Sequence, residues 1–311
     1  NRDPYYWQLN ANMNFNLYGV VNLPFSAVIT KENKTFNQPS FREFGMSPQY
    51  KSVTVHLGYR NMAFSNYSYS GITFLGVGVE YSPEEAPVSV SAMYGRFKKA
   101  IQFTDLNDIE DEDLVIEEPA YERWGYGSKI TIGKRKHAVD LIFFKAEDKL
   151  ETLRDTVQGL SPEEGLVFGV NTRNSITKKL KLNVELTSSS HTYDTRLAAS
   201  DFQSFRYMNK LGNLYTPRLS SQIKNAVVSK LSYQFKKANV GIMYRRVDPD
   251  YMSIGTPGIV GDIEEYTLNL STNLLKDKIN MSGALGSQKD NLDNKEPQAN
   301  KRFIGSLNLN Y

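Results

Sequence analysis

Three histidines, His56, His137 and His191, are the only imidazoles in the chain, and there is no cysteine. No His-x-x-x-His or His-x-Glu spacing occurs, so a zinc-type centre has no ligand set to start from. Lack of thiols also removes disulfides, Fe–S clusters and Cys nucleophiles. One cluster has hydrolase residue types: Ser188, Ser189, Ser190, His191 and Asp194. A hydrolase needs nucleophile and base held at hydrogen-bond distance by a rigid frame, which adjacent residues on a strand end do not supply. The cluster reads as a polar strand end entering a loop, and no enzyme is expected. The acidic run from Asp105 to Glu118 offers oxygen ligands only, the chemistry of calcium, with Asp108, Glu110, Asp111 and Asp113 as its candidate ligands. It lacks an Asp-x-Asp-x-Asp-Gly loop, and a solvated charge run is the plainer reading. No other cofactor is implied.

The elements that must carry these residues are constrained by composition. Of 311 residues, 12% are aromatic, too many for a disordered chain. Lys plus Arg exceed Asp plus Glu by only three, which argues against a nucleic-acid partner. No run approaches the roughly 18 apolar residues of a spanning helix. The mean hydropathy of −0.47 is that of a water-soluble protein, but a membrane β-barrel has the same low average by construction. The chain opens on Asn1 rather than Met, which reads as a mature or excised chain.

Alternation is the strongest signal. Trp7, Leu9, Ala11, Met13, Phe15 and Leu17 fall on one parity, and Gln8, Asn10, Asn12, Asn14 and Asn16 on the other. Successive strand side chains point to opposite faces, so this is a strand with one apolar and one amide face. The same pattern recurs at 53–60, 73–81, 180–186, 266–274 and 303–311. About 14 such segments can be read, starting near residues 6, 21, 51, 71, 87, 121, 136, 166, 179, 223, 238, 264, 278 and 301. Each is roughly 9–12 residues long, as a tilted membrane strand requires. Only 146–156 suggests a short helix.

Connections alternate from residue 81 onward. Short turns alternate with long polar loops at about 98–119, 147–164, 191–218, 248–262 and 287–300. That is the signature of an up-and-down antiparallel barrel, not of a Greek-key sandwich. Thr30–Tyr50 breaks the rule, as a long link where a short turn is expected. Tyr and Trp recur near segment ends (Trp7, Tyr18, Tyr59, Tyr81, Trp124, Tyr126, Tyr233, Tyr266), as interfacial girdles do. The fold predicted is all-β, a transmembrane up-and-down antiparallel β-barrel spanning 1–311 as one domain.

Three stretches carry a family resemblance. They are Gln49–Pro83, with Val-Thr-Val-His-Leu-Gly-Tyr-Arg and Gly-Ile-Thr-Phe-Leu-Gly-Val-Gly-Val-Glu-Tyr-Ser-Pro; Ser91-Ala-Met-Tyr-Gly-Arg-Phe; and Tyr244-Arg-Arg-Val-Asp-Pro-Asp-Tyr-Met. They resemble a poorly characterised family of porin-like outer-membrane β-barrel proteins of Bacteroidota. The resemblance implies residence in a Gram-negative outer membrane, among its lipids and lipopolysaccharide, and it brings no active site with it. Members of such families often continue beyond the point where this chain ends.

The inward parity then defines the candidate functional surface. It includes Asn10, Asn12, Asn14, Asn16, His56, Arg60, Glu80, Lys129, Asp140, Arg173, Lys181, Asn183, Glu185, Lys230, Arg245, Asn269, Asn273, Asn280, Arg302 and Asn308. This lining is polar and mildly basic, without a continuous apolar strip, and basic groups bias an open pore toward anions. The expectation is a passive channel for small hydrophilic solutes. The rival is a non-conducting subunit of a secretion, assembly or uptake complex, docking other outer-membrane subunits or plugging the barrel through 30–50 and 191–218. The aromatic residues Phe202, Phe205, Tyr207 and Tyr215 would be its anchors.

Overall fold

The period-two segments become strands paired with their sequence neighbours in a computed structural model. It describes residues 7–30, 42–103, 118–134, 136–154, 157–200, 214–274 and 278–310. The strands are β1 (Gln8–Leu17), β2 (Val21–Thr30), β3 (Arg42–Met46), β4 (Gln49–Tyr50), β5 (Val53–Ser65), β6 (Tyr69–Tyr81), β7 (Val88–Lys98) and β8 (Glu122–Lys134). They continue as β9 (His137–Lys149), β10 (Glu164–Ser175), β11 (Leu180–Thr192), β12 (Ser221–Gln234), β13 (Ala238–Val247), β14 (Ile263–Leu274), β15 (Ile279–Lys289) and β16 (Lys301–Asn310). All fourteen segments read from the alternation recur, as β1, β2 and β5 to β16. Every pairing is antiparallel, and the order along the sheet follows the chain.

The two additional strands lie in the link that broke the loop rule. β3 and β4 hold one register against β2, with Met46 opposite Phe25 and Gln49 opposite Asn22, and they also share one register against β5. Between them Pro48 has no N–H to give, which interrupts the ladder without displacing it. Thus 42–50 is one interrupted strand. The turn after it is only Lys51–Ser52, and the β5–β6 turn at 66–68 is short too although it lies at the long-loop end, so strict alternation of long and short connections holds only from β6 onward. The helix expected at 146–156 is a single 3-10 turn, Leu150–Thr152, because Ala146–Lys149 stays paired in β9.

Both edge strands, β1 and β16, run from the long-loop end to the short-turn end. Among the described residues no pairing joins them. The sheet nevertheless curls on itself. Tyr69 of β6 stacks on Phe144 of β9 at 5.0 Å between ring centroids, although β7 and β8 lie between them in the sheet. The face carrying these rings is therefore concave. The other face carries Trp7, Leu9, Phe15, Val77, Ile242, Leu268 and Leu307, each at least half exposed. A water-soluble monomer does not spread apolar side chains around a whole sheet, whereas a barrel in lipid must.

The concave face is apolar along β5–β10 at the long-loop end. Met62, Phe64, Tyr69, Phe74, Met93, Ile142, Phe144, Ala146 and Val167 form one buried cluster with Ile254 of the 248–262 loop. These rings lie on the parity that sequence reading assigned to polar lining groups. Space for them comes from a cross-strand row of small residues: Gly45, Gly58, Gly76, Gly95, Gly125, Ala146 and Gly165 are successive partners from β3 to β10. A Cβ on Gly95 would come within 2.7 Å of the Phe74 ring, and one on Gly125 within 2.6 Å of the Phe97 ring. Tyr69 reaches the cluster through a bulge. Gly71 takes φ +84°, a conformation open to glycine, and the β5–β6 register shifts there, turning Tyr69 inward.

Candidate functional site: a strap across the barrel interior

The site is built by the loop between β13 and β14. Its base is pinched, since the Asp248 carbonyl accepts from both Tyr251 N and Asp262 N at 3.2 Å. From there the loop crosses the interior. Tyr251 OH donates to the Tyr67 carbonyl at 2.6 Å, Ser253 Oγ donates to the Ser68 carbonyl at 2.6 Å, and Ser70 N donates to the Gly255 carbonyl at 3.0 Å. Tyr67 and Ser68 belong to the turn between β5 and β6, and six strands, β7 to β12, lie between that hairpin and β13. The loop thus spans opposite walls as a strap. Ser189 of β11 also donates to the Met252 carbonyl. Ile254 seats on Gly165, and Tyr251 packs with Tyr67, Ala226, Val247 and Ile259.

The strap divides the interior. On one side lies the buried cluster of β5–β10 described above. On the other side lie β14–β16 and β1–β4, with Arg60 of β5 and the short-turn ends of β11, β12 and β13. There Asn12 and Asn14 of β1 border a recess with Ser26, Ser47 and Arg60, and Asn269, Ser271, Ser282, Ser306 and Asn308 border another. This half is lined by amides and hydroxyls.

The residues expected on the inner parity all share the concave face. Asn10, Asn12, Asn14 and Asn16 are exposed along β1. Arg60 of β5 donates to Ser26 Oγ, and His56 accepts from or donates to Ser47 Oγ at 2.9 Å, with Glu80 3.4 Å from its other nitrogen. Lys129 reaches the Ala63 carbonyl at 3.2 Å. Asp140 is buried and bound by Arg173 at 2.9 Å and Thr131 at 2.8 Å. Arg245 is held by buried Glu265, with Nε to Oε2 at 3.0 Å. Asn183 and Lys230 are cross-strand partners, and neither Lys181 nor Lys230 has a carboxylate within 4 Å among the described residues. Glu185 is half-buried, and Arg302 lies 3.7 Å from Asp290.

Other expectations fare differently. The calcium candidates Asp108, Glu110, Asp111 and Asp113 lie outside the described residues. Among the described residues no three His, Asp or Glu side chains converge as a metal site. Tyr215, expected at a docking or plugging surface, packs with Leu214 on the outer face against Phe143, Leu166, Phe168 and Ile223, and its hydroxyl meets Thr192 Oγ1 at 2.7 Å. Phe202, Phe205 and Tyr207 lie outside the described residues. The hydrolase-type cluster is dispersed by the pleat. Ser189 is committed to the strap, and the Asp194 carboxylate binds Arg196 at 2.7 and 2.9 Å. The interior segment that sequence reading missed is the strap, whose residues Tyr251, Ser253 and Ile254 look like any polar loop.

The Asp194–Arg196 pair ties two long loops together, because Ser161 Oγ also donates to Asp194 at 3.3 Å. Hydrogen bonds from Arg196 lower the Asp194 carboxyl to about 2. A depressed carboxylate stabilises the fold above its ordinary range, near 3.9, and that contribution disappears as the pH falls through about 2. A rim pair of this kind contributes about 0.2–1 kcal/mol. Amide exchange in 193–200 should accelerate in Arg196→Ala at neutral pH, and the difference from the parent should vanish near pH 2.

Comparison with known proteins bears on the fold. The chain matches no protein-family model and no curated protein sequence. Solved structures do match. Pseudomonas aeruginosa OpdL superposes with a TM-score of 0.52 at 9% identity, covering 98% of this chain and 80% of that one. OmpT, an outer-membrane protein of Vibrio cholerae in its trimer form, gives 0.52 at 12% identity, covering 97% and 90%. An anion-selective porin from Comamonas acidovorans gives 0.50 at 12% identity, covering 91% and 78%. With a sequential antiparallel sheet, an apolar convex face and these likenesses, the chain has the up-and-down β-barrel fold of outer-membrane porins.

Proposed function

We propose that the protein is a porin-like channel of a bacterial outer membrane, passing small hydrophilic solutes along the amide-lined half of its interior. Membrane lipids contact its convex face. The single observation that carries this reading is the strap, which separates an apolar, filled half from a polar one. Water enters where the wall offers donors and acceptors, and an apolar cluster excludes it. Among the described residues Arg60, Lys181 and Lys230 supply positive charge without carboxylate partners within 4 Å, whereas the charges of Arg173 and Arg245 are matched by Asp140 and Glu265. The passage therefore prefers anions mildly.

Planar-bilayer recording of the purified, folded protein tests this. Stable conductance steps are expected, with a reversal potential on the anion side. The double variant Asn12→Asp/Asn14→Asp places two negative charges in the polar half and should move the reversal potential toward cations. A silent bilayer from inserted protein would favour a scaffold that anchors partner subunits.

A further inference from the structure

The two ends of the barrel differ in charge. The turns after β8, β10, β12 and β14 follow one another around the short-turn end. Residues 134–136, 178–179, 236–237 and 276–278, which belong to these turns, hold nine Lys and Arg against one Asp. Lys134, Lys136, Lys178, Lys179, Lys236 and Lys237 are all exposed, and none has a carboxylate within 4 Å among the described residues. At the long-loop end, by contrast, Arg123, Lys145, Lys149, Lys289 and Lys295 each lie within 4 Å of an Asp or Glu. Glu84 and Glu85, on the neighbouring β6–β7 turn, pair with no cation among the described residues, so they bound the basic turns rather than neutralise them. From one hairpin to the next, two strand spacings amount to about 10 Å, so the four turns form an arc of about 30 Å.

Apolar side chains run straight into this arc. Ile132 and Tyr233, at strand ends on the convex face, are exposed, and so are Ile176 and Phe235 in the turns themselves. Tyr233 and Phe235 pack edge-on at 4.7 Å between ring centroids. Aromatic side chains at strand ends sit at the level of the lipid headgroups. Lys236 and Lys237 follow Phe235 directly, and Lys178 and Lys179 follow Ile176 after one residue. A lysine so placed lays its stem along apolar surface and holds its ammonium among the headgroups. That arrangement selects the partner. A soluble anion gains nothing from the apolar neighbours, whereas a phospholipid covers them with its acyl chains and meets the ammonium groups with its phosphate. A zwitterionic headgroup brings a positive charge of its own, so the net attraction is for an anionic one.

We propose that this collar of basic turns binds anionic phospholipid headgroups and concentrates them around the short-turn end, the end that faces the periplasm in outer-membrane barrels. The proposal needs insertion in a membrane and no open pore. Purified protein is reconstituted in phosphatidylcholine vesicles that contain either spin-labelled phosphatidylglycerol or spin-labelled phosphatidylcholine. Electron paramagnetic resonance then reads how much of each label is immobilised at the protein surface. At low salt the phosphatidylglycerol label is expected to be held severalfold more strongly. Lys178→Gln/Lys179→Gln/Lys236→Gln/Lys237→Gln changes only exposed turn residues and should bring the two labels level. Lys98→Gln/Lys99→Gln/Arg154→Gln/Lys301→Gln removes the same charge at the long-loop end and should leave the preference as in the parent. Each variant is first shown to be folded by its β-sheet circular dichroism. Equal immobilisation of the two labels by the parent overturns the proposal. So does a preference that survives in the short-turn variant, or one that both variants lower equally. Loss of the parent's preference to inorganic phosphate, but not to sodium chloride of equal ionic strength, would assign the lysines to a soluble anion and overturn it as well.

Discussion

Replacing Tyr251–Ile259 by three glycines raises the single-channel conductance severalfold. The strap is the one described loop that joins opposite walls, and it does so through three hydrogen bonds and the Tyr251–Tyr67 contact. Asp248 and Asp262 are already bridged at 3.2 Å, so a short linker closes β13 to β14 without pulling either strand. Removal leaves the β-ladders intact and the interior undivided. The added cross-section conducts because Gln222, Arg245 and Glu265 then face water along the former strap. Unchanged conductance in a folded deletion variant would mean that the strap does not border the path.

Phe144→Ala is the substitution expected to destabilise the barrel most. Phe144 is 1% exposed, stacks on Tyr69 at 5.0 Å and meets Phe97 edge-on at 5.8 Å. Deleting a buried ring of this kind costs about 3–5 kcal/mol, the sum of lost transfer energy and the cavity left behind. The urea midpoint of the vesicle-inserted protein should fall accordingly. Leu141→Ala, on the convex face of the same strand, should move it far less, because Leu141 is 44% exposed and forfeits no packed interior. Gly125→Val should act in the same direction as Phe144→Ala by overpacking. Its Cβ would lie 2.6 Å from the Lys145 carbonyl and 2.6 Å from Phe97, and the carbonyl belongs to a paired strand that cannot yield.

Much of this architecture is written in local pattern. The amide row Asn10–Asn16 and the apolar row Leu9–Leu17 define a strand and its two faces without reference to any other segment. Turn chemistry and loop length then give the meander. What stayed hidden depends on register between distant strands. Gly45, Gly58, Gly76, Gly95, Gly125 and Gly165 are scattered along the sequence and become a row only when each strand is paired. The rings of Phe64, Phe74 and Phe97 sat on the polar parity as isolated exceptions, and the glycines beside them in space were the signal that they fill the interior. Tyr69 changes face through a bulge at Gly71, which a strict period of two misplaces. The sequence reading places Arg42–Tyr50 within the long link Thr30–Tyr50, which contains Pro39 and Pro48, yet an interrupted strand tolerates one proline where the ladder skips a bond. The strap could not be seen, because its anchors are mostly backbone carbonyls, and those carry no sequence signature.

The central claim is that water and solutes move along the amide-lined half while the aromatic half stays closed. The chain contains no cysteine, so single thiols can report on it directly. Asn14→Cys, Ser282→Cys and Asn308→Cys would place thiols in the polar half, and Ala146→Cys would place one in the buried cluster, where Ala146 has no exposed surface. Each is treated with a charged, membrane-impermeant thiosulfonate during single-channel recording. The account predicts rapid modification and a stepwise fall in current for the first three, with no reaction at position 146. Rapid modification at 146 together with silence at 14, 282 and 308 would contradict it.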